Sequence, residues 1–149
     1  MIFFRKAAII AALALLTAGC CPCRSYQKKT RRPLVGTRWQ LIQLEGASVR
    51  SREGTFMLEF LAEQRRIAGI GACNRLTGSY EAGEDRSLKI GPLASTTMAC
   101  PEGDLERKFT EAVESATHYD MDGPMLLLLS NGELRAVFQA VPAAEPSRK

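Results

Sequence analysis

The chain has 149 residues, of which 46% are hydrophobic and 24% charged, and its formal net charge is +4. This length allows one domain, and this composition excludes both an intrinsically disordered chain and a protein that crosses a membrane many times. The positive charge is confined to the N-terminal part, because from Pro33 onward 13 basic residues face 16 acidic ones. We therefore expect no basic surface on the folded part and no nucleic acid among its partners.

Residues 1–19 have the features of a lipoprotein signal peptide. Arg5 and Lys6 precede ten uninterrupted apolar residues, which is about half the length that a membrane-spanning helix needs. The next residues, LTAGC ending at Cys20, resemble the lipobox of bacterial lipoproteins, in which a peptidase cleaves before a cysteine whose sulfur has been acylated. The resemblance implies a mature chain that begins at Cys20 and is attached to the membrane there. Ordinary secretion with cleavage nearby is the alternative.

The residue that follows the lipidation site predicts in which membrane the lipoprotein is anchored. Cys21, and not an aspartate, follows Cys20, and by the sorting rule of such lipoproteins this implies the periplasmic face of the outer membrane. More than one acyl chain holds a protein stably at a bilayer. Residues 20–33 are basic and lack apolar periodicity, so we predict a lipidated linker whose five cations lie near anionic head groups. The sequence assigns no role to Cys21 or Cys23.

Residues 34–141 form the predicted domain, and most of its segments show strand patterns. Apolar residues alternate with polar ones in TRWQLIQL and TFMLEF, as in half-buried strands. Glycines within the next segments indicate bends or close backbone approach. The predicted strands cover residues 37–44, 55–60, 66–73, 76–81 and 88–90.

A helix and a hairpin complete the predicted fold. Apolar residues recur with helical spacing between Asp104 and Thr117, and Asp104 is a plausible N-cap. Asn131-Gly132 between two apolar runs predicts a two-residue β-hairpin over residues 125–141, and residues 142–149 form a polar tail that we expect to be disordered. The fold class is thus mainly β with one packed helix (α+β), an antiparallel, curved, barrel-like sheet.

Several motifs in this domain resemble the META domain family, which includes HslJ-type lipoproteins. They are Trp39 after Gly36-Thr37, GACN at residues 71–74, Leu76, Gly78, Tyr80, LASTTMAC at residues 93–100, Glu106, Phe109 and the Asn131-Gly132 hairpin. Thr97 stands where the family usually has an arginine, and Ala72 where it usually has a glycine. The resemblance implies a small barrel-like β domain with one packed helix, found in envelope lipoproteins, and no established enzymatic reaction.

The two cysteines of these motifs are expected to pair. Cys73 and Cys100 would lie in a compartment where thiols oxidise, so an intramolecular disulfide is the leading interpretation. Two free cysteines buried as small hydrophobic residues are the alternative.

The candidate binding residues form two groups. Asn74, Thr96 and Thr97 are expected to form a polar cluster beside the two cysteines. The leading interpretation of Asn74 is that it satisfies the backbone of its own turn, and a binding role is the alternative. Trp39 and Tyr80, together with Phe56 and Phe60, are expected to line the interior of the barrel or its rim.

Catalytic and metal-binding functions have little support in the sequence. His118 is the only histidine, so a multi-histidine metal site is excluded, and no cofactor motif is present. A cysteine-dependent hydrolase that uses Cys73 and His118 is one alternative, and a purely structural domain is another. The leading hypothesis is a non-catalytic outer-membrane lipoprotein that binds an envelope protein or an apolar small ligand in envelope assembly or stress tolerance.

Overall fold

The computed structural model describes residues 22–141, which form two α-helices, one short 3-10 helix (Glu63–Arg65) and one antiparallel sheet of ten strands. The α-helices are α1 (Pro22–Thr30) and α2 (Gly103–Glu114). The strands are β1 (Arg38–Leu44), β2 (Ala47–Ser48), β3 (Met57–Leu61), β4 (Arg66–Ile70), β5 (Arg75–Ala82), β6 (Leu88–Ile90), β7 (Ala94–Ser95), β8 (His118–Asp122), β9 (Met125–Ser130) and β10 (Glu133–Val141). Within residues 22–141, no helix is long and apolar enough to cross a bilayer.

The sheet curves until its two end strands approach each other. Its order is β6-β5-β4-β3-β1-β10-β9-β8, and the short strands β2 and β7 pair with β1 and β5. At the seam between β6 and β8, Ser87 bridges to His118 and the Leu88 amide donates to the carbonyl of Thr117 at 2.8 Å. The result is a nearly closed barrel, which confirms the predicted fold class.

Alternating side chains of β1 and β3 fill the interior, as their sequence patterns predict. Trp39 and Leu41 of β1 are fully buried, and so are Leu58 and Phe60 of β3. Phe56 is also buried, although it precedes β3 and has a positive φ of 51°. The apolar sides of these strands therefore meet in one core.

The hairpin between β9 and β10 has the predicted two-residue turn. Ser130 pairs with Glu133, and between them Asn131 and Gly132 have φ values of 50° and 87°. Both angles lie in the left-handed region that asparagine and glycine tolerate best, which explains why this pair closes the hairpin.

Helix α2 packs into the core but begins and ends differently from the prediction. Phe109 is fully buried, with its ring edge-on to Phe56 at 5.4 Å between centroids. The predicted N-cap is wrong: Glu102 occupies that position without a side-chain cap, and Asp104 lies in the first turn. The helix ends at Glu114 because the amide of Thr117 already donates to the carbonyl of Leu129 in β9.

Strand β8, which the sequence pattern did not reveal, begins where the predicted helix would have ended. His118 is therefore a strand residue, and its Nδ1 lies 3.1 Å from Oγ1 of Thr117. The strand has exposed and half-buried residues in alternation and only one neighbour within the main sheet, β9. Such an edge strand gives a weak apolar signal in the sequence.

The predicted linker is partly helical. Residues 22–30 form α1, in which the Thr30 hydroxyl donates to the carbonyl of Tyr26 at 2.8 Å, and Thr30 packs against the glycine of the β8–β9 turn, Gly123. Contact with the barrel supplies stability that the polar sequence of α1 does not reveal. The predicted signal peptide, the lipidation site Cys20 and the predicted tail 142–149 lie outside the described residues.

Candidate functional site

The tight turn that follows β4 carries the first half of the candidate site. The Gly71 amide donates to the carbonyl of Asn74 at 2.7 Å, which closes a turn that contains Cys73. Cys73 is joined to Cys100 by a disulfide whose Cα atoms are 5.7 Å apart. The predicted disulfide is therefore confirmed, and the alternative of two free cysteines is wrong.

A buried carboxylate from α2 holds this turn in place. Oε2 of Glu106 accepts hydrogen bonds from the amides of Cys73 at 2.8 Å and Asn74 at 3.0 Å, and its Oε1 accepts from Nδ2 of Asn74 at 2.6 Å. Only 8% of Glu106 is exposed. Glu106 lies in the first turn of α2, where the helix dipole also favours a negative charge.

The side chain of Asn74 connects the carboxylate to the segment before Cys100. Its Oδ1 accepts hydrogen bonds from the Thr96 hydroxyl at 2.9 Å and from the Met98 amide at 2.7 Å, while its Nδ2 also donates to the carbonyl of Met98. We call Glu106, Asn74 and the Cys73–Cys100 disulfide the Glu106 clamp. The expectation that Asn74 bonds its own turn is thus wrong, because its side chain serves a segment 24 residues further along the chain.

The pKa of Glu106 reflects these contacts. Burial by itself would raise the pKa, but hydrogen bonds from Cys73, Asn74 and Ala72 outweigh it, and the pKa lies below the ordinary value. Hydrogen bonds to the ionised carboxylate therefore favour its charged form.

We expect the clamp to weaken in acid. Because the pKa of Glu106 is lower in the folded state, its contribution to stability is complete above the ordinary value of 4.5 and is lost as the pH falls through the lowered folded pKa. Urea unfolding at a series of pH values should show this loss in the wild type and a smaller loss in Glu106→Gln. Equal losses in both proteins would show that other carboxyl groups account for the acid sensitivity.

Gly71 makes room for the carboxylate. A Cβ atom at this position would lie 2.4 Å from Oε2 and 2.6 Å from Cγ of Glu106, closer than non-bonded atoms approach. The absence of a side chain at Gly71 is thus required by Glu106, and not by an unusual backbone angle at the glycine.

Gly71→Ala should therefore displace Glu106 and destabilise the protein by about 2–4 kcal/mol. Gly103→Ala is the matched control, because a Cβ there meets no atom within 4 Å. Chemical unfolding of the three proteins measures the difference. Equal stability of the Gly71→Ala variant and the wild type would contradict the close packing.

The two aromatic candidates belong to the core. Trp39 is fully buried and its indole N–H donates to the carbonyl of Leu34 at 3.1 Å. Tyr80 is 6% exposed, and its hydroxyl donates to the carbonyl of Leu61 at 3.2 Å. Burial raises the pKa of Tyr80, against the opposing effect of Arg65.

These side chains therefore lie in the interior of the barrel, one of the two places expected for them, and not at its rim. Phe60 lies edge-on to Tyr80 with 5.0 Å between ring centroids, so aromatic rings fill this part of the interior. Two clefts of about 730 and 590 Å³ open on the surface, and no buried aromatic side chain lines either of them. An apolar ligand would have to displace packed core residues to reach Trp39 or Tyr80.

Of the polar candidates, Asn74 is buried, whereas the two threonines lie on the surface. Residues 94–99 are all exposed, including Thr96 and Thr97, and Met98 has 62% of its surface exposed. We call this stretch the 94–99 segment; it begins with β7, which pairs with β5, and it ends at the Glu106 clamp.

The structure does not support the hydrolase alternative. Cys73 lacks a free thiol because it is bonded to Cys100, so it cannot act as the nucleophile in this form. His118 lies at the seam between β6 and β8 and contacts Thr117, not Cys73. Within residues 22–141, no group of three or more His, Cys, Asp or Glu side chains is arranged to hold a metal ion.

Comparison with known proteins decides the family. The family model of the META domain matches residues 32–142. The chain belongs to the META domain family. The matched range includes the whole Glu106 clamp and the 94–99 segment, and the META domain is not a known catalytic family. No curated protein matches the chain.

Solved structures share the fold of this META domain. A protein from Burkholderia xenovorans, solved by NMR, is 24% identical with a TM-score of 0.58, and the match covers 80% of this chain and 88% of that one. A DUF4847 family protein from Bacteroides vulgatus, solved by crystallography, is 17% identical with a TM-score of 0.54, covering 76% and 96%. At these identities the likeness shows the fold alone.

Glu106 is the main residue whose role in the META domain the sequence interpretation missed. Glu106 stands among the motifs that resemble the family, but no contact or role follows for it from those motifs. Its spacing held a further signal, because it lies three residues before Phe109 and seven before Val113, both fully buried. A charged residue on the buried stripe of a helix indicates an internal partner.

Proposed function

We propose that this META domain protein is a non-catalytic lipoprotein that binds another envelope protein through the 94–99 segment. The observation that carries the proposal is the exposure of Met98 on a segment whose end is fixed by a disulfide and a buried carboxylate. Exposed methionine side chains adapt to apolar partner surfaces. A segment held before binding loses little conformational entropy when it binds.

The filled interior favours a protein partner over an apolar small ligand. Ligand sites are usually concave and enclose most of the ligand, whereas the side chains of Trp39, Phe60 and Tyr80 are packed in the core of the barrel. The 94–99 segment instead offers an exposed surface without charged side chains, and charged residues are depleted at the centres of protein interfaces.

Site-specific photocrosslinking in intact cells tests this contact. A photoreactive amino acid at Thr97 should give a discrete crosslinked product that disappears when Met98→Asp is added. Leu134 in β10 is the control position, because it is 40% exposed but belongs to a distant strand of the sheet. The same products from both positions, or a product that survives Met98→Asp, would contradict recognition by this segment.

The proposed location is the periplasmic face of the outer membrane, with the protein attached through acyl chains on Cys20 and acting in envelope assembly or stress tolerance. The support is the lipobox-like sequence before Cys20 and the absence of an aspartate after it. Labelled fatty acid should be incorporated into the wild type and not into Cys20→Ser, and only the wild type should fractionate with outer membranes. Equal labelling of both proteins would disprove attachment at Cys20.

A further inference from the structure

A second surface of the molecule lies between α1 and one end of the barrel. Tyr26 and Thr30 of α1 form one wall of a cleft of about 730 Å³, and residues 36–38 at the start of β1 form another. The glycine of the β8–β9 turn, Gly123, lets α1 approach, since a Cβ there would lie 2.9 Å from Oγ1 of Thr30. The helix and the barrel therefore build this cleft together.

The cleft has an excess of positive charge. Lys29, Arg32 and Arg38 line it, and Glu59 is the acidic residue among its lining side chains. Arg38 and Glu59 are direct neighbours across β1 and β3. Among the described residues, none of the three cations has an ion-pair partner within 4.0 Å, so their charge is available to an anion.

We propose that this cleft binds the phosphate groups of anionic lipid headgroups and brings this end of the barrel against the membrane. The proposal rests on the lipid anchor of the proposed function, because Cys20 lies two residues before α1 in the sequence. A surface this close to an anchor meets headgroups at high local concentration. Each cation near an anionic membrane adds to the attraction.

The form of the cleft favours a membrane over a free small anion. Its cations lie on exposed or half-buried positions spread from α1 to β1, and no enclosed cradle of buried donors surrounds a single phosphate. Tyr26, 61% exposed, lies beside them. Tyrosine with an apolar ring and a polar hydroxyl is typical of the membrane interface.

Hydrogen exchange of the full chain in lipid nanodiscs tests the proposal. We expect amides of α1 and of residues 36–38 to exchange about tenfold more slowly in nanodiscs that contain phosphatidylglycerol than in phosphatidylcholine nanodiscs. The triple variant Lys29→Gln/Arg32→Gln/Arg38→Gln should lose this difference. Raised salt should also weaken it, because exposed charges are screened.

A matched control separates the cleft from overall charge. The variant Arg50→Gln/Arg52→Gln/Lys108→Gln removes the same charge from exposed positions that do not line the cleft, and it should retain the slower exchange. The proposal is overturned if the two lipids give equal exchange, if the control variant loses the effect equally, or if inorganic phosphate reproduces it in phosphatidylcholine nanodiscs. None of these outcomes bears on the photocrosslink at Thr97, so the two proposals fail separately.

Discussion

Replacing Glu106 with alanine is expected to lower the free energy of unfolding by about 3–5 kcal/mol. The substitution leaves the amides of Cys73 and Asn74 and the side-chain amide of Asn74 without the acceptor that they share. A buried donor without a partner is more costly than the net value of one hydrogen bond. Glu106→Gln should lose less, about 2–3 kcal/mol, because the remaining side-chain oxygen still accepts a hydrogen bond. The loss does not vanish, because the new NH2 group replaces the other oxygen and faces hydrogen-bond donors of the turn.

Urea unfolding of these variants measures the effect, with Glu111→Ala as the control on the same helix. Glu111 is exposed and pairs with Arg107 at 2.8 Å. Such an exposed pair on one helix contributes only about 0.3–0.5 kcal/mol. A similar small loss for Glu106→Ala would show that Glu106 is an ordinary surface carboxylate and that the clamp does not exist in solution.

Removing the disulfide by Cys73→Ala/Cys100→Ala should cost about 3–4 kcal/mol. The bond closes a loop with a sequence separation of 27 residues. In the chain-entropy model, its loss raises the conformational entropy of the unfolded state and lowers the free energy of unfolding by this amount. Unfolding with and without a reductant provides the measurement. The reductant should destabilise the wild type to a similar extent and leave the double variant unchanged.

The two effects should not add. The amide of Cys73 donates to Glu106 while its sulfur is bonded to Cys100, so both variants disturb the same turn. Residues that share contacts show coupling in double-mutant cycles. Combining Glu106→Ala with the loss of the disulfide should therefore cost less than the sum of the separate losses. Strict additivity would indicate that the disulfide and the carboxylate hold independent parts of the structure.

The choice of a charged residue at position 106 suggests what the clamp is for. Well-packed apolar side chains often stabilise a core as much as a buried charge does. Glu106 instead directs its hydrogen bonds to the turn that holds Asn74, and Asn74 directs its own to Thr96 and Met98. We infer that the clamp fixes the position of the 94–99 segment as well as contributing to stability.

Much of the fold could be predicted because its signals are local. Alternation in β1, the glycine-dotted run of β4 and the Asn131-Gly132 turn each have a pattern that a few neighbouring residues determine. The short polar edge strand β8 has no such pattern and was missed. The helix α1 was also missed, because its contact with the turn at Gly123 connects residues about 90 positions apart.

The candidate site could be predicted only in part, because most of its contacts join residues that are far apart in the sequence. The pairing of Cys73 with Cys100 follows from chemistry and family resemblance, whereas the role of Glu106 depends on how α2 is placed on the barrel. The burial of Trp39 and Tyr80 depends on how closely the interior is filled. Sequence periodicity identifies which face of a strand is apolar, but it does not show whether space remains between the faces.

The most direct test of the clamp is the hydrogen-exchange rate of the Met98 amide, which donates to Oδ1 of Asn74. In Glu106→Gln we expect this amide to exchange about 30–100-fold faster than in the wild type, which corresponds to the loss of about 2–3 kcal/mol expected for this variant. In the control Glu111→Ala the rate should change little, because Glu111 is exposed and does not contact the turn. An unchanged rate at Met98 in Glu106→Gln, or an equal increase in Glu111→Ala, would contradict a clamp that holds the 94–99 segment.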